Sequence, residues 1–585
     1  MDTSLYPPRY QQKLLTLLTE TVDLDANTNG VLIHSDNFQA LNLLQARYRE
    51  QVKCIYIDPP YNTGNDGFIY KDNYQHSSWL TTMENRLQAA YPLLSQDGVN
   101  FISIDDNEQA RAKEISDFIF GENNFIANVI WQKKYSPSND AKWLSDNHDF
   151  VVAYAKNKER WRPDLLPRSE EAKTRYKNPD NDPRGVWTSS DLSVKTYSSE
   201  NDYPITTPTG NIINPPAGAC WRVSKEKFAE MLADNRIYFS KDGAGVPRIK
   251  RFLSEVKDGI TPLTLWTYQE VGHNQEAKKE MASIFSVGQE ISTEELSKAT
   301  PKPTRLINRI LTIGAKNPSS IILDYFAGSG TTAHAVINLN REDGGKRKYI
   351  LVEQGEYFDT VLKPRIQKVI YSENWKNGKP MPSEKNSGNL NGVSQIVKVL
   401  KLESYEDTLN NLELKGQADF IGGLPESVQE DYLLRYLLDV ESKGSLLNSD
   451  DFTHPFDYCL NIATDSAGAY AKTNIDLVET FNYLLGLRVR HITDEREKRG
   501  YVMVEGALPN GDRCLIVWRD VEKMGYTEVA EFFNSQNITP NRDQYDVVYL
   551  NGDHYMANLW QNEDGTESRL SLRAIEPEFL RLMFA

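Results

Sequence analysis

An α/β fold with a parallel sheet is what this 585-residue sequence predicts. Short apolar runs of strand composition alternate with segments of helical spacing through residues 1–160. Such alternation builds parallel sheets, because every crossover needs a helix. The same alternation returns after residue 300, beyond a loop-rich interval. Between those late elements, glycines at 328 and 330 join a strand to a helix, as in sheets that bind ligands at their carboxyl ends.

Each element has a local reason. GVLIHS (30–35) and KCIYID (53–58) are short and β-branched, hence strands. NFQALNLLQAR (37–47) between them has helical spacing. After the turn-rich PPYNTGNDG, one helix face is expected to carry Trp79, Met83, Leu87, Ala90 and Leu94. Gly98 ends it, and VNFISI (99–104) is a further strand. Residues 161–300 are rich in Pro, Asn, Asp, Ser and Trp, and read as a loop-rich insertion. From 301 follow a helix over 304–313, the strand SIILDY (320–325), a helix over 331–338 and the strand KYILVE (348–353). Residues 375–395 are linker-like. In 401–585 a helix is expected over 476–489, and YVMVEG and RCLIVW flank a PNGD turn as a hairpin. The expected division is therefore 1–160, 161–300, 301–400 and a separate α+β domain at 401–585.

Composition excludes several classes. With 39% hydrophobic and 25% charged residues and a mean hydropathy of −0.56, a soluble globular chain is expected. No apolar run reaches 18 residues, so no membrane span is expected. The first residues, MDTSLYPPRYQQK, lack the basic flank and apolar stretch of a secretory signal. Cys54, Cys220, Cys459 and Cys514 form no CxxC pair, which speaks against a cysteine metal site and fits a reducing cytoplasm. The net charge of −16 is all C-terminal: residues 401–585 hold 17 basic and 33 acidic residues, and residues 1–400 hold 49 of each. That split weakens the objection an acidic protein raises to nucleic-acid binding.

The glycine turn reads Asp324-Tyr-Phe-Ala-Gly-Ser-Gly-Thr-Thr-Ala333. Gly328 and Gly330 permit a tight turn and close backbone approach to a ligand. The helix start behind it offers free N–H groups to a carboxylate or phosphate. Glu353 ends the next strand, 23 residues past Gly330, where a carboxylate can accept from ribose hydroxyls. By itself the segment fits a dinucleotide or another adenosine cofactor equally.

The second motif is Asp58-Pro-Pro-Tyr-Asn62, at a strand's carboxyl end. Two prolines remove two donors, so Asp58 and a neighbouring carbonyl form an acceptor pair suited to a substrate amine. Tyr61 offers a flat face for stacking. An exocyclic amine on a base is a poor nucleophile because its lone pair is delocalised into the ring. Acceptors aimed at its N–H bonds localise that lone pair, a preorganised electrostatic device. Such a base must leave the duplex to be reached.

Taken in order, these blocks resemble the S-adenosylmethionine-dependent amino-methyltransferases of DNA, in the permuted order with DPPY before the insertion and FxGxG after it. HSDNFQALNLL, LQAAYPLLSQDG, SIDDNE, GHNQEAKKEM, KPTRLINRIL, ILVEQGEYFDTVLKPRIQKVIYS and LESYEDTLNNL are most similar to the modification subunits of Type III restriction–modification systems. The resemblance covers about residues 1–415. It implies a Rossmann-like methyltransferase sheet, S-adenosylmethionine as cofactor, and adenine N6 as the target, since Asp58 stands where a serine would suggest cytosine N4. It implies that Asp58 and the Pro59 carbonyl accept from the amine, with Pro60 and Tyr61 completing the motif. Asp324, Phe326, Gly328, Gly330, Thr331, Thr332 and Glu353 would shape the cofactor pocket. Asp36 would sit near the cofactor adenine, unless it only caps a helix. Lys302 and Thr304 would border the methionine end, unless they serve as surface charge and cap. Asn62, Trp131, Lys133 and Lys134 would line the groove for the flipped base, with Trp131 equally suited to the core. Residues 161–300 become a target-recognition region; nine basic residues between 156 and 185, with Trp161 and Tyr176, fit that role. The partners implied are duplex DNA, a second copy of the chain and a separate restriction subunit, in a bacterial, archaeal or phage cytoplasm. An orphan adenine methylase and a cytosine-N4 enzyme are the alternatives.

Overall fold

The structure is a computed structural model that describes residues 1–63, 75–168, 170–298, 300–383, 388–411, 446–464, 469–539, 544–556, 558–561 and 567–583. It divides into two units, residues 1–162 with 264–585, and residues 163–263.

In the first unit, nine strands form one sheet: β1 (Thr28–His34), β2 (Val52–Ile57), β3 (Leu94–Ile104), β4 (Phe125–Gln132), β5 (His148–Ala155), β6 (Leu265–Trp266), β7 (Ile321–Asp324), β8 (Lys348–Glu353) and β9 (Ile396–Lys401). Their order is β6-β4-β5-β3-β2-β7-β8-β1-β9. β5 runs antiparallel to both neighbours, and the other pairings are parallel. The central strands are buried on both faces, which is why IIL and YILV read as continuous apolar runs rather than alternating ones. The pairing that matters most joins β2 to β7, with Cys54 opposite Ile322 and Ile55 opposite Leu323. Elements more than 260 residues apart in sequence thereby end side by side at one edge, the position where open α/β sheets bind ligands.

The helices of this unit include α1 (Pro8–Thr19), α2 (Asn37–Tyr48), α3 (His76–Ala90), α4 (Gln109–Phe120), α5 (Asn274–Ile284), α6 (Thr304–Gly314), α7 (Thr331–Asp343) and α8 (Lys363–Tyr371), of which α1 packs against the unit's second sheet. On α3, Trp79, Met83, Leu87 and Ala90 are buried at helical spacing. Leu94, expected on the same face, instead opens β3, because Pro92 lies in a short 3₁₀ turn that ends the helix. Gly98 lies inside that strand at a register shift opposite β2. The stretch 264–300, expected in the insertion, belongs to the first unit: β6 pairs with β4.

A second sheet in this unit holds β10 (Arg488–Asp494), β11 (Tyr501–Ala507), β12 (Arg513–Arg519), β13 (Val547–Leu550) and β14 (Leu572–Ala574), paired in that order. β11 and β12 form the expected hairpin, with Ala507 opposite Arg513. The helix expected over 476–489 stops at Leu484, because Gly486 takes φ 68° and the chain enters β10. The described residues of 401–585 belong to the first unit rather than to a unit of their own. Leu15, Leu18 and Leu24 from the N-terminus pack into the same core as Phe481, Val489, Trp518 and Phe579.

The unit at 163–263 contains a three-stranded antiparallel sheet of Trp187–Asp191, Arg248–Phe252 and Ile237–Tyr238. Its core holds Leu192, Tyr203, Trp221, Phe228 and Phe239. Lys173, Arg175 and Lys177 are exposed on it.

Candidate active site

A cavity opens at the carboxyl edge where β2 and β7 meet. Tyr56, Asp58, Pro59, Pro60 and Tyr61 line it from the β2 side, and Thr300, Pro301 and Lys302 from the segment before α6. Asp324, Phe326, Ala327, Gly328, Ser329, Thr331, Thr332 and Tyr357 complete it. It leaves about 690 Å³ of space between its walls when open solvent at its mouth is included.

The acceptor side is built by β2 and its prolines. Asp58 Oδ2 accepts from Lys302 Nζ at 2.5 Å, while Oδ1 is buried with no hydrogen-bond partner. An acceptor withdrawn from water and left unmade costs about 1–3 kcal/mol, so this oxygen is poised for a donor. The Pro60 carbonyl is engaged by the Trp79 indole N–H at 2.9 Å, a role for Trp79 that helical periodicity alone did not reveal. The Tyr61 hydroxyl is buried without a partner, and burial pushes it well above the ordinary phenol range. Asn62 has φ 59°, and its amide donates to Glu108 Oε1 at 2.7 Å. Glu108 is fully buried and also accepts from His76 Nδ1 at 2.6 Å. SIDDNE thus contributes a carboxylate that anchors the residue after the DPPY motif, which sequence reasoning had left without a role.

The glycine side is built by β7, α7 and β8. Gly328 has φ 53°, and a Cβ there would meet nothing within 4 Å, so its backbone faces open space. Gly330 has φ 80° and precedes α7; a Cβ there would make only an ordinary contact with Leu362 at 3.4 Å, so it is the backbone angle that calls for glycine. Gly328 lines the cavity, whereas Gly330 only turns the chain. Gly328 N–H donates to Glu353 Oε2 at 2.8 Å, and Gly355 N–H to Oε1 at 2.8 Å. Asp324 accepts from Phe326 N–H at 3.1 Å and from Thr332 Oγ1 at 2.5 Å. Burial pushes its carboxyl up to about 7, against the pull of the Thr332 hydrogen bond. Beneath the turn, fully buried Arg365 donates to Ser329 Oγ and Thr331 Oγ1, both at 2.9 Å. Burial lowers its guanidinium to about 10. Arg365 and Tyr357 lie in a block quoted for its resemblance; nothing in its spacing marks them as site residues.

Other expected site residues fall elsewhere. Asp36 caps α2 through Phe38 N–H at 2.9 Å, pairs with Arg86 at 3.0 Å and does not line the cavity. Thr304 turns its hydroxyl to Glu280 at 2.5 Å and also lies off the cavity. Trp131 is core, not groove: it is 0% exposed, and its indole donates to the Gly272 carbonyl at 3.0 Å. Lys133 is buried between Asp149 at 2.6 Å and Asp146 at 2.8 Å, which occupies its charge within the protein. Lys134 is exposed. Trp161, expected to face nucleic acid, is buried. Among the described residues no group of His, Cys, Asp and Glu could hold a metal ion, and no helix is long and apolar enough to cross a membrane.

A mixed sheet sets the Asp58-Pro-Pro-Tyr61 motif and the glycine turn on adjacent strands, around one cavity. The model of the N6/N4 amino-methyltransferase family, described as DNA methylase, matches residues 52–213 and 220–363, and the chain belongs to that family. The Mod subunit of the Type III restriction–modification enzyme StyLTI of Salmonella typhimurium is 36% identical over 377 residues, 59% of this chain and 55% of that protein. The EcoPI Mod subunit of Escherichia phage P1 is 30% identical over 56% of this chain and 58% of its own length. The Type II methyltransferase M.KpnI of Klebsiella pneumoniae is 31% identical over 56% of this chain and 81% of its own. The chain spans 55 to 60% of the length of the Type III relatives it matches.

Proposed function

We propose that this chain transfers a methyl group from S-adenosylmethionine to N6 of an adenine flipped out of duplex DNA, as the modification subunit of a Type III restriction–modification system. The observation that carries the reading is the β2–β7 pairing. It sets an unpartnered buried acceptor, Asp58 Oδ1, in the same cavity as the open backbone of Gly328.

The residues present fit the cofactor. Its amino-acid end would lie along the 326–332 turn, where Gly328 leaves room and Thr331 lines the wall. Glu353, fixed by two backbone N–H groups, would meet the ribose. When bound, S-adenosylmethionine supplies an electrophilic methyl group. The protein prepares the nucleophile: Asp58 and the Pro59 carbonyl accept from the amino N–H bonds and localise the nitrogen lone pair. Asp58, already accepting from that amine, would also take the proton released as nitrogen gains its fourth bond. Tyr61 stacks on the flipped base. The unit at 163–263 supplies target recognition, with its exposed basic residues on phosphate.

The Type III relatives support assignment to that system, and a separate restriction subunit would supply the ATPase and nuclease. The sequence contains no GxxxxGK[ST] phosphate loop, in keeping with that division of labour. Incubating the chain with unmethylated duplex DNA and S-adenosylmethionine, followed by nucleoside mass spectrometry, tests the reading. N6-methyladenine is expected. N4-methylcytosine would reassign the base, and no methylated nucleoside despite cofactor binding would contradict the proposal.

A further inference from the structure

Lys302 makes two contacts in the cavity. Its ammonium lies 2.5 Å from Asp58 Oδ2 and 4.9 Å from the centre of the Tyr61 ring. These are the two partners that the proposed function gives to the target adenine: a donor nitrogen on Asp58 and a flat group on Tyr61. The side chain is only 12% exposed and lines the cavity wall, so the ammonium is largely withdrawn from water. Pro301 and Pro303 flank it and fix the backbone on both sides, which limits where its base can move.

We propose that Lys302 is a placeholder for the substrate amine, holding Asp58 and Tyr61 in their working positions and leaving Asp58 when the flipped base arrives. The inference rests on the function proposed above. The physical reason lies in the cost of an uncompensated charge. Without a partner, a carboxylate partly withdrawn from water is expensive, and one hydrogen-bonded cation offsets this. A base stacked on Tyr61 takes the place of the ammonium above that ring, and its amino N–H groups then reach both Asp58 Oδ1 and the oxygen the lysine leaves. The ion pair therefore reduces the fraction of enzyme ready to bind, and the apparent affinity falls in proportion to that fraction. A group that offers no N–H donor to Asp58 cannot compensate for the broken pair, so the device also discriminates against such groups.

The test compares wild type, Lys302→Met and Lys302→Arg on duplex DNA amplified in vitro and therefore unmethylated, with tritiated S-adenosylmethionine. Lys302→Met should lower the KM for DNA by roughly tenfold if the pair holds nine molecules in ten. Lys302→Arg, whose fork grips a carboxylate at two points, should raise it. Calorimetry with S-adenosylmethionine alone should show cofactor binding retained in both variants. A KM that stays level or rises in Lys302→Met overturns the placeholder. So does loss of cofactor binding, which would put the ammonium on the cofactor, or a fall in kcat with KM unchanged, which would put it in the transfer step. Should Lys302→Met fail to fold, a KM that falls in Lys302→Arg overturns the proposal and one that rises supports it. If wild type transfers no methyl group, the functional reading itself fails and the placeholder with it; transfer with the KM shifts reversed removes the placeholder alone.

Discussion

Glu353 Oε2 accepts the Gly328 N–H at 2.8 Å, so the acid at the end of β8 is tied to the glycine turn at the end of β7. The cradle and the residue proposed to meet the ribose are thus one piece. Their neighbouring strands hold them in register, with Asp324 opposite Leu351. Gly328→Asp places a carboxylate beside Glu353, in the space the backbone leaves open, and forces φ 53° on a residue with a side chain. Calorimetry should show cofactor binding weakened at least a hundredfold, about 2.7 kcal/mol or more. Binding within threefold of wild type would contradict the cradle.

Asp324 provides a pH signature. Its carboxyl lies at about 7 in the folded chain against an ordinary 3.8, because burial disfavours the charge. Between those values the folded state holds a proton that the unfolded state has released. Its contribution is fully present below about pH 4 and is lost as pH rises through about 7, at up to about 1.4 kcal/mol per unit. Asp324→Asn removes that slope while keeping an acceptor for Thr332. Urea midpoints at pH 5 and pH 8 should show the variant gaining on wild type at the higher pH. Parallel behaviour at the two values would reject the assignment.

Residues 401–585 are joined to the methylase sheet by a buried charge cluster. Asp25 pairs with Arg47 at 2.9 Å and with Lys398 at 2.7 Å, and accepts the Val489 N–H at 2.7 Å. Arg47 also donates to the Leu487 carbonyl, and Lys398 pairs with Glu479 at 3.1 Å. Burial would raise Asp25, but Lys398 and Arg47 outweigh it and hold the carboxyl low. Asp25→Asn leaves two buried cations short of a counter-charge and should cost roughly 3–5 kcal/mol. Calorimetric scanning should show one earlier transition for the whole unit. An unchanged melt for the catalytic part would show that 401–585 folds apart from it.

Trp131 belongs to stability rather than DNA contact. Trp131→Ala empties a fully buried site and strands the Gly272 carbonyl, so it should cost about 3–5 kcal/mol. Trp131→Phe should keep most of the fold and full DNA binding in a gel-shift titration. DNA binding lost in a folded Trp131→Phe would restore the groove assignment.

What the sequence revealed, and what it did not, has a physical pattern. β2, β7 and β8 were legible because strands buried on both faces are continuous apolar runs. The glycine turn was legible because φ above zero selects glycine. Long-range pairing was not legible: nothing local says that Arg47 meets Asp25, that α1 packs under β10, or that Lys302 reaches Asp58 across 244 residues. Trp131 and Lys133 misled because residue type does not reveal that β4 is paired on both sides or that Asp146 and Asp149 lie beside Lys133. Arg365 and Glu108 were missed because their roles lie in what they hold, Thr331 and Asn62, rather than in a motif.

The most direct measurement compares wild type with Asp58→Ala in a single-turnover transfer of tritiated methyl from S-adenosylmethionine to unmethylated duplex DNA, with cofactor affinity measured on the same samples. The expected result is transfer by wild type, a loss of at least a hundredfold in the variant, and cofactor affinity within threefold, since the role proposed for Asp58 is on the substrate amine. Undiminished transfer by the variant would contradict the account.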